Sequence, residues 1–252
     1  MTINGDTEGD INGISNGINK GVIKGLLFDF SGTLFRIEST ESWLRAVLDE
    51  AGLALPDSEF TATAAALHTV GALPGGPTAH VEVPAHLAEL VAVRDMDADR
   101  HRAAYTGLAR QVPLPDERLY DALYDRQLRP EAWLPYPDAA DVLSGLRERG
   151  IPVAVVSNIG WDPRPVFVAH GLDAYVDAYV LSYRHGVQKP DPRLFAAACE
   201  ALGVAPGDAL MVGDDRRADG GASALGCAVH FVDHLPVDAR PDALRPVLRL
   251  VG

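Results

Sequence analysis

The sequence predicts an α/β fold, a three-layer parallel sheet with helices on both faces and an α-helical domain inserted after its first strand. Three observations point there. Short apolar runs suited to buried strands alternate with amphipathic helical stretches, the pattern of a parallel sheet covered on both sides. The first two runs are separated by roughly 115 residues, far more than one crossover helix needs. A chain of 252 residues can bury a full domain with a smaller one inside it.

Taken in order, residues 1–20 repeat Ile, Asn and Gly with little apolar mass, so burial cannot offset the entropy of ordering them, and a flexible tail is expected. VIKGLLFD (22–29) is an apolar run ending in an acid, as expected of a buried strand that opens into a site. Further strands are expected in PVAVVSN (152–158), DAYVLS (177–182), DALMVGD (208–214) and CAVHFVD (227–233). Between them, DAADVLSGLRERG (138–150) sets Val142, Leu143 and Leu146 on one helical face before Gly150, and DPRLFAAACEALG (191–203) repeats the pattern.

The long insertion carries its own helical periodicity, with Trp43, Leu44, Val47, Leu48 and Ala51 on one face and Leu119, Tyr120, Leu123 and Tyr124 on another. GALPGGPTAHVEVP (71–84) reads as a loop, and Pro130, Pro135 and Pro137 mark the return. The expected division is a core of 21–36 and 131–252 around a helical domain of 37–130.

A formal charge of -13 argues against nucleic acid and anionic membranes, whose phosphates repel such a surface. No apolar run spans a bilayer and no signal peptide opens the chain, so a cytoplasmic protein, monomer or homodimer, with a small-molecule ligand is expected. Cys199 and Cys227 show no metal or exchange spacing and read as buried apolar side chains.

Polar groups gather at the ends of the runs: Asp29, then Ser157 and Asn158, then Lys189, then Asp214, Asp215 and Asp219. Each alone has an ordinary reading as a turn, a cap or a solvated lysine. Together they converge on the crevice beyond the carboxyl ends of a parallel sheet, where ligands bind. Asp29 and Asp214 can hold a hard cation such as Mg²⁺ through oxygen, and Lys189 adds a second positive charge. Only Lys20, Lys24 and Lys189 are lysines, so a chain that otherwise uses arginine keeps a compact charge at this point.

In these motifs, over roughly residues 22–232, the chain resembles the haloacid dehalogenase superfamily, specifically subfamily IA members with a helical C1-type cap on a Rossmann-like core. The resemblance implies a Mg²⁺-dependent hydrolase acting on a small phosphorylated substrate, with Asp29 as nucleophile. It further implies that Gly32, Thr33, Ser157 and Asn158 hold phosphate and that Lys189 orients both partners. Asp29, the Ser31 carbonyl, Asp214 and Asp215 would bind the metal, with Asp219 in support.

One position departs from that pattern. Phosphatases of this family usually place a second aspartate two residues after the nucleophile, to protonate the leaving group and later activate water, whereas this chain has Ser31. A hydroxyl cannot shuttle protons that way near neutrality, and losing a general acid costs about 10²- to 10⁴-fold. Replacement acids are sought in His68, His80 and His86, and Arg36, Arg216 and Arg217 are conceivable ligand contacts, although a surface role is more usual for each. A dehalogenase or a non-catalytic relative are the alternatives. Schiff-base phosphonate cleavage is disfavoured because no lysine lies between Phe35 and Pro130.

Overall fold

The computed structural model describes residues 22–75 and 83–251; the expected N-terminal tail and His80 lie outside them. Five strands, β1 (Gly25–Phe28), β4 (Val153–Ser157), β5 (Ala178–Leu181), β6 (Ala209–Gly213) and β7 (Ala228–Phe231), form one parallel sheet in the order β5-β4-β1-β6-β7. All five coincide with the apolar runs.

Strand alternation sorts the core into two layers. Leu27, Ala154, Val156 and Met211 face helix α9 (Pro192–Leu202) through Leu194, Phe195 and Ala198. Leu26, Phe28, Val155, Leu210 and Val212 face the other way, toward Val142, Leu143 and Leu146 of α6 (Ala139–Glu148). The sheet is therefore covered on both faces. Two short helices, α7 (Arg164–Ala169) and α8 (Ser182–His185), complete this part.

Between β1 and β4 lies a two-stranded antiparallel ribbon, β2 (Phe35–Ile37) with β3 (Trp133–Pro135), pairing Phe35 with Pro135 and Ile37 with Trp133. Strands of three residues are too short for a period to show in sequence. Among the described residues, five helices run between the ribbon strands: α1 (Thr40–Ala51), α2 (Asp57–Thr69), α3 (Ala88–Ala92), α4 (Ala98–Ala109) and α5 (Arg118–Gln127). Helix α1 starts where Ser39 Oγ accepts from Ser42 N and stops at Gly52 in the left-handed region. Its apolar face meets α5, and Trp43 Nε1 donates to Leu123 O (2.9 Å). At the ribbon, Arg126 Nε donates to Glu38 Oε1 (2.7 Å), tying α5 to the outgoing strand.

Among the described residues no helix is long and apolar enough to cross a membrane. Cys199 and Cys227 are both buried thiols.

Candidate active site

The strand order places β1 between β4 and β6, so residues just past these three strands meet at one edge. Asp29 follows β1, Ser157 ends β4 and Asp214 follows β6. Lys189 arrives differently from the expectation of a strand end: α8 intervenes after β5, and the lysine sits in the loop before α9. There Asn158 clamps it, accepting from Lys189 N (2.6 Å) and donating to Lys189 O (3.0 Å) through its side-chain amide.

Lys189 Nζ donates to Asp29 Oδ1 (2.7 Å) and Asp219 Oδ1 (2.6 Å), and all three side chains are buried. Burial alone would lower the Lys189 pKa, but Asp219 and Asp29 outweigh it and raise it, so the ammonium stays charged. Burial raises Asp29 well above the usual carboxylate range; Lys189 opposes this, and Asp219 and Asp214 reinforce it. Burial likewise raises Asp219.

Asp29, Asp214 and Asp219 each bring one carboxylate oxygen within 4.8 Å of the others, a cluster that could hold a metal ion. An all-oxygen donor set suits a hard cation. Asp215 is not in that cluster. It is exposed at the cavity rim, and its Oδ1 accepts from Arg217 N (2.8 Å) and Ala218 N (2.9 Å), shaping the turn.

Gly32 and Thr33 also differ from the phosphate-contact expectation. Both are buried behind the cavity wall: Thr33 Oγ1 donates to Asp214 Oδ1 (3.3 Å), and Gly32, at φ 85°, leaves room where a Cβ would strike the Asp214 carboxylate. Ser31 does line the cavity, and its Oγ is buried without a hydrogen-bond partner among the described residues. Gly75 of the inserted segment packs against that hydroxyl.

The cavity, about 590 Å³, lies between the sheet edge and the inserted helices. Ser157, Asn158, Lys189 and the acidic cluster form its polar end, while Phe30, Trp133 and Trp161 form an apolar wall. His68 and His86 do not line it; both are exposed, and His68 Nδ1 lies 3.4 Å from Thr40 Oγ1. Arg216 lines it with its guanidinium stacked over Phe231, whereas Arg217 is exposed and outside it.

Four residues had no motif to announce them. His234 bonds Asp214 through Nδ1 and meets Arg36 and Gly75 O through Nε2. That bond keeps Asp214 below the usual carboxylate value although burial pulls the other way. Arg240, buried against the Tyr136 ring, donates to Gly32 O (2.6 Å) and Thr33 O and so holds the loop after β1 from behind. Arg94 and His101 enter the cavity from the inserted segment.

Residues 23–225 match the family model for haloacid dehalogenase-like hydrolases. The chain is 40% identical over 100 residues to a phosphoserine phosphatase of Thermus thermophilus, covering 39% of this chain and 40% of the relative. It is 37% identical over 93 residues to (S)-2-haloacid dehalogenase 4A of Burkholderia cepacia, covering 36% and 40% respectively. These matches thus span about 40% of each relative's length. In fold it is similar to L-2-haloacid dehalogenase from Xanthobacter autotrophicus, with TM-score 0.59 at 24% identity over 90% of this chain and 86% of the other. A family match over most of the chain, on a fold that gathers these acids and this lysine at one edge of the sheet, makes it a member of the haloacid dehalogenase-like hydrolases.

Proposed function

We propose that this chain is a Mg²⁺-dependent phosphohydrolase of small phosphorylated metabolites, working through an aspartyl-phosphate, with the helical segment 37–130 as its cap. The observation that carries the reading is the buried ammonium of Lys189 bridging Asp29 and Asp219 beside Asp214. A nucleophilic carboxylate needs charge of this kind before it can approach an anionic phosphoryl group. Asp29 and Asp214 would hold the cation, with the Ser31 carbonyl as a further ligand. Asp219 has both oxygens engaged, by Lys189 and by Asp215 N (3.0 Å), and supports the site. When bound, Mg²⁺ shields the phosphoryl oxygens from the carboxylates.

In this mechanism Asp29 attacks phosphorus, the bond to the leaving oxygen breaks, and water then cleaves the acyl phosphate to return Asp29 and release phosphate. Ser157 and the Asn158 backbone orient the phosphoryl group, and Lys189 stabilises the charge that builds on it. Position 31 supplies no carboxyl, so leaving groups must depart largely as anions. A cytoplasmic setting belongs to the same reading, supported by the two buried thiols.

The test is phosphate release across acyl, aryl and alkyl phosphates, with and without Mg²⁺. A steep dependence on leaving-group pKa is expected. Equal turnover across the series would remove the role assigned to Ser31, and full activity in excess EDTA would remove the metal. A second reading, 2-haloacid dehalogenation, is favoured by the aromatic wall of Phe30, Trp133 and Trp161 and by the lack of need for a leaving-group acid. Chloride release from 2-chloropropionate, independent of Mg²⁺, would establish it instead.

A further inference from the structure

Arg94 and Asp95 occupy a single turn, Arg94–Met96, between α3 and α4, and both line the same cavity as Asp29 and Lys189. They face each other as a loose ion pair, with the Tyr105 hydroxyl beside the guanidinium, and neither is fully hydrogen-bonded by the protein. Arg94 Nε is buried with no acceptor among the described residues, and its Nη1 makes one long contact to Val91 O (3.4 Å). The Asp95 side chain, 9% exposed, lies 3.6 Å from Arg94 Nε and 3.7 Å from His101 Nε2, beyond hydrogen-bond distance of both. Asp95 is buried, whereas the Arg94 side chain is 34% exposed with only its Nε enclosed, so the pair keeps hydrogen-bonding capacity directed at the cavity.

The turn is also fixed relative to the phosphoryl end. Ser182 Oγ donates to Asp95 O (2.5 Å) and accepts from Ile159 N (2.9 Å), in the loop that follows Ser157. Gln188, next to Lys189, donates through Nε2 to Ala92 O (2.7 Å). Two loops that carry the candidate phosphate-binding residues therefore hold the backbone on either side of Arg94.

We infer that Arg94 and Asp95 form a recognition subsite for a leaving group that bears a carboxylate with a hydroxyl or ammonium on the neighbouring carbon. The inference rests on the phosphohydrolase reading above and names its substrate class. Arg94 offers the planar fork that matches a carboxylate. Asp95 accepts from the adjacent donor and, by its own charge, disfavours a second phosphate dianion, which a lone arginine would attract. His101 does not compete as a cation, because burial pushes its ring down to about 3 and its Nδ1 is engaged with Tyr124 Oη (2.8 Å).

The experiment compares kcat/KM for O-phosphoserine, which carries both groups, with phosphoethanolamine, which lacks the carboxylate, and with the phosphate ester of 3-hydroxypropionate, which lacks the donor. Wild type should prefer O-phosphoserine over phosphoethanolamine by about 10- to 150-fold, the worth of a charged hydrogen bond. Arg94→Met should collapse that ratio, and Arg94→Lys should restore part of it. Asp95→Asn should erode the preference over the 3-hydroxypropionate ester. A missing preference in wild type, or one that survives Arg94→Met in a folded protein, overturns the subsite. Phenyl phosphate, which carries neither group, reports separately on the phosphohydrolase reading. If it and the other esters are not turned over, calorimetric binding of O-phosphoserine and phosphoethanolamine to the Asp29→Asn protein decides the subsite alone, and equal affinity for the two rejects it.

Discussion

Lys189 Nζ stands 2.7 Å from Asp29 Oδ1 although 160 residues separate the two in the chain. Removing a buried partner leaves carboxylates uncompensated, at a cost of about 3 to 5 kcal/mol. Lys189→Met should therefore lower the thermal midpoint as well as abolish turnover. A variant with the wild-type midpoint would mean that the ammonium does not hold this end of the sheet together.

Asp29→Asn keeps the shape of the side chain and removes its nucleophilicity. Turnover should fall by at least about 10³-fold, with a circular dichroism spectrum like that of the wild type. Residual activity of more than a few per cent would exclude the covalent route.

Mg²⁺ should stabilise the fold as well as activate it, since an ion bound only to the native state adds about 2.7 kcal/mol at one hundred times its dissociation constant. Asp214→Asn should weaken both effects. Thermal scans across a Mg²⁺ titration, in the presence and absence of EDTA, measure this; an unchanged midpoint at saturating Mg²⁺ would contradict it.

Restoring a carboxyl by Ser31→Asp should raise turnover of alkyl phosphates by about tenfold or more. Gly75 packs against the Ser31 hydroxyl, so the larger side chain must displace the 71–75 segment, and some loss of thermal stability should accompany the gain. No gain on alkyl esters, with the variant folded, would show that protonation does not limit them.

His101 carries a pH signature of its own. Its folded pKa, about 3, lies below the unfolded value of 6.5, so the unfolded chain binds more protons between those limits. The associated stability is fully present above about 6.5 and is lost as pH falls toward 3, by on the order of a few kcal/mol. His101→Gln should flatten the acid limb of midpoint against pH in that window. An acid limb identical to that of the wild type would mean the ring is not buried in its neutral form.

The positions of the five strands along the chain and the clustering of Asp29, Ser157, Lys189, Asp214 and Asp219 were legible in the sequence, because buried parallel strands are unbroken apolar runs and ligand crevices lie beyond their carboxyl ends; the order of the strands in the sheet was not. Helices α1 and α5 were legible for a related reason: a helix buried on one side repeats its apolar residues every three or four positions. What the tertiary structure alone decided are contacts with no local period. His234 reaches Asp214, and Arg240 reaches the carbonyls of Gly32 and Thr33 from more than 200 residues away, both out of the C-terminal segment that follows β7. Asp215 and Asp219 look alike in GDDRRAD, yet one caps its own turn and the other lies buried on Lys189, because a four-residue offset in a tight turn points two carboxylates in different directions. The inserted segment showed α1 and α5 but not α2, α3 or α4, nor which of its polar residues face the cavity. That choice fell to Arg94 and Asp95 and not to His68 or His86, because it depends on how the turn between α3 and α4 is pinned to Ser182 and Gln188, contacts made between segments distant in sequence.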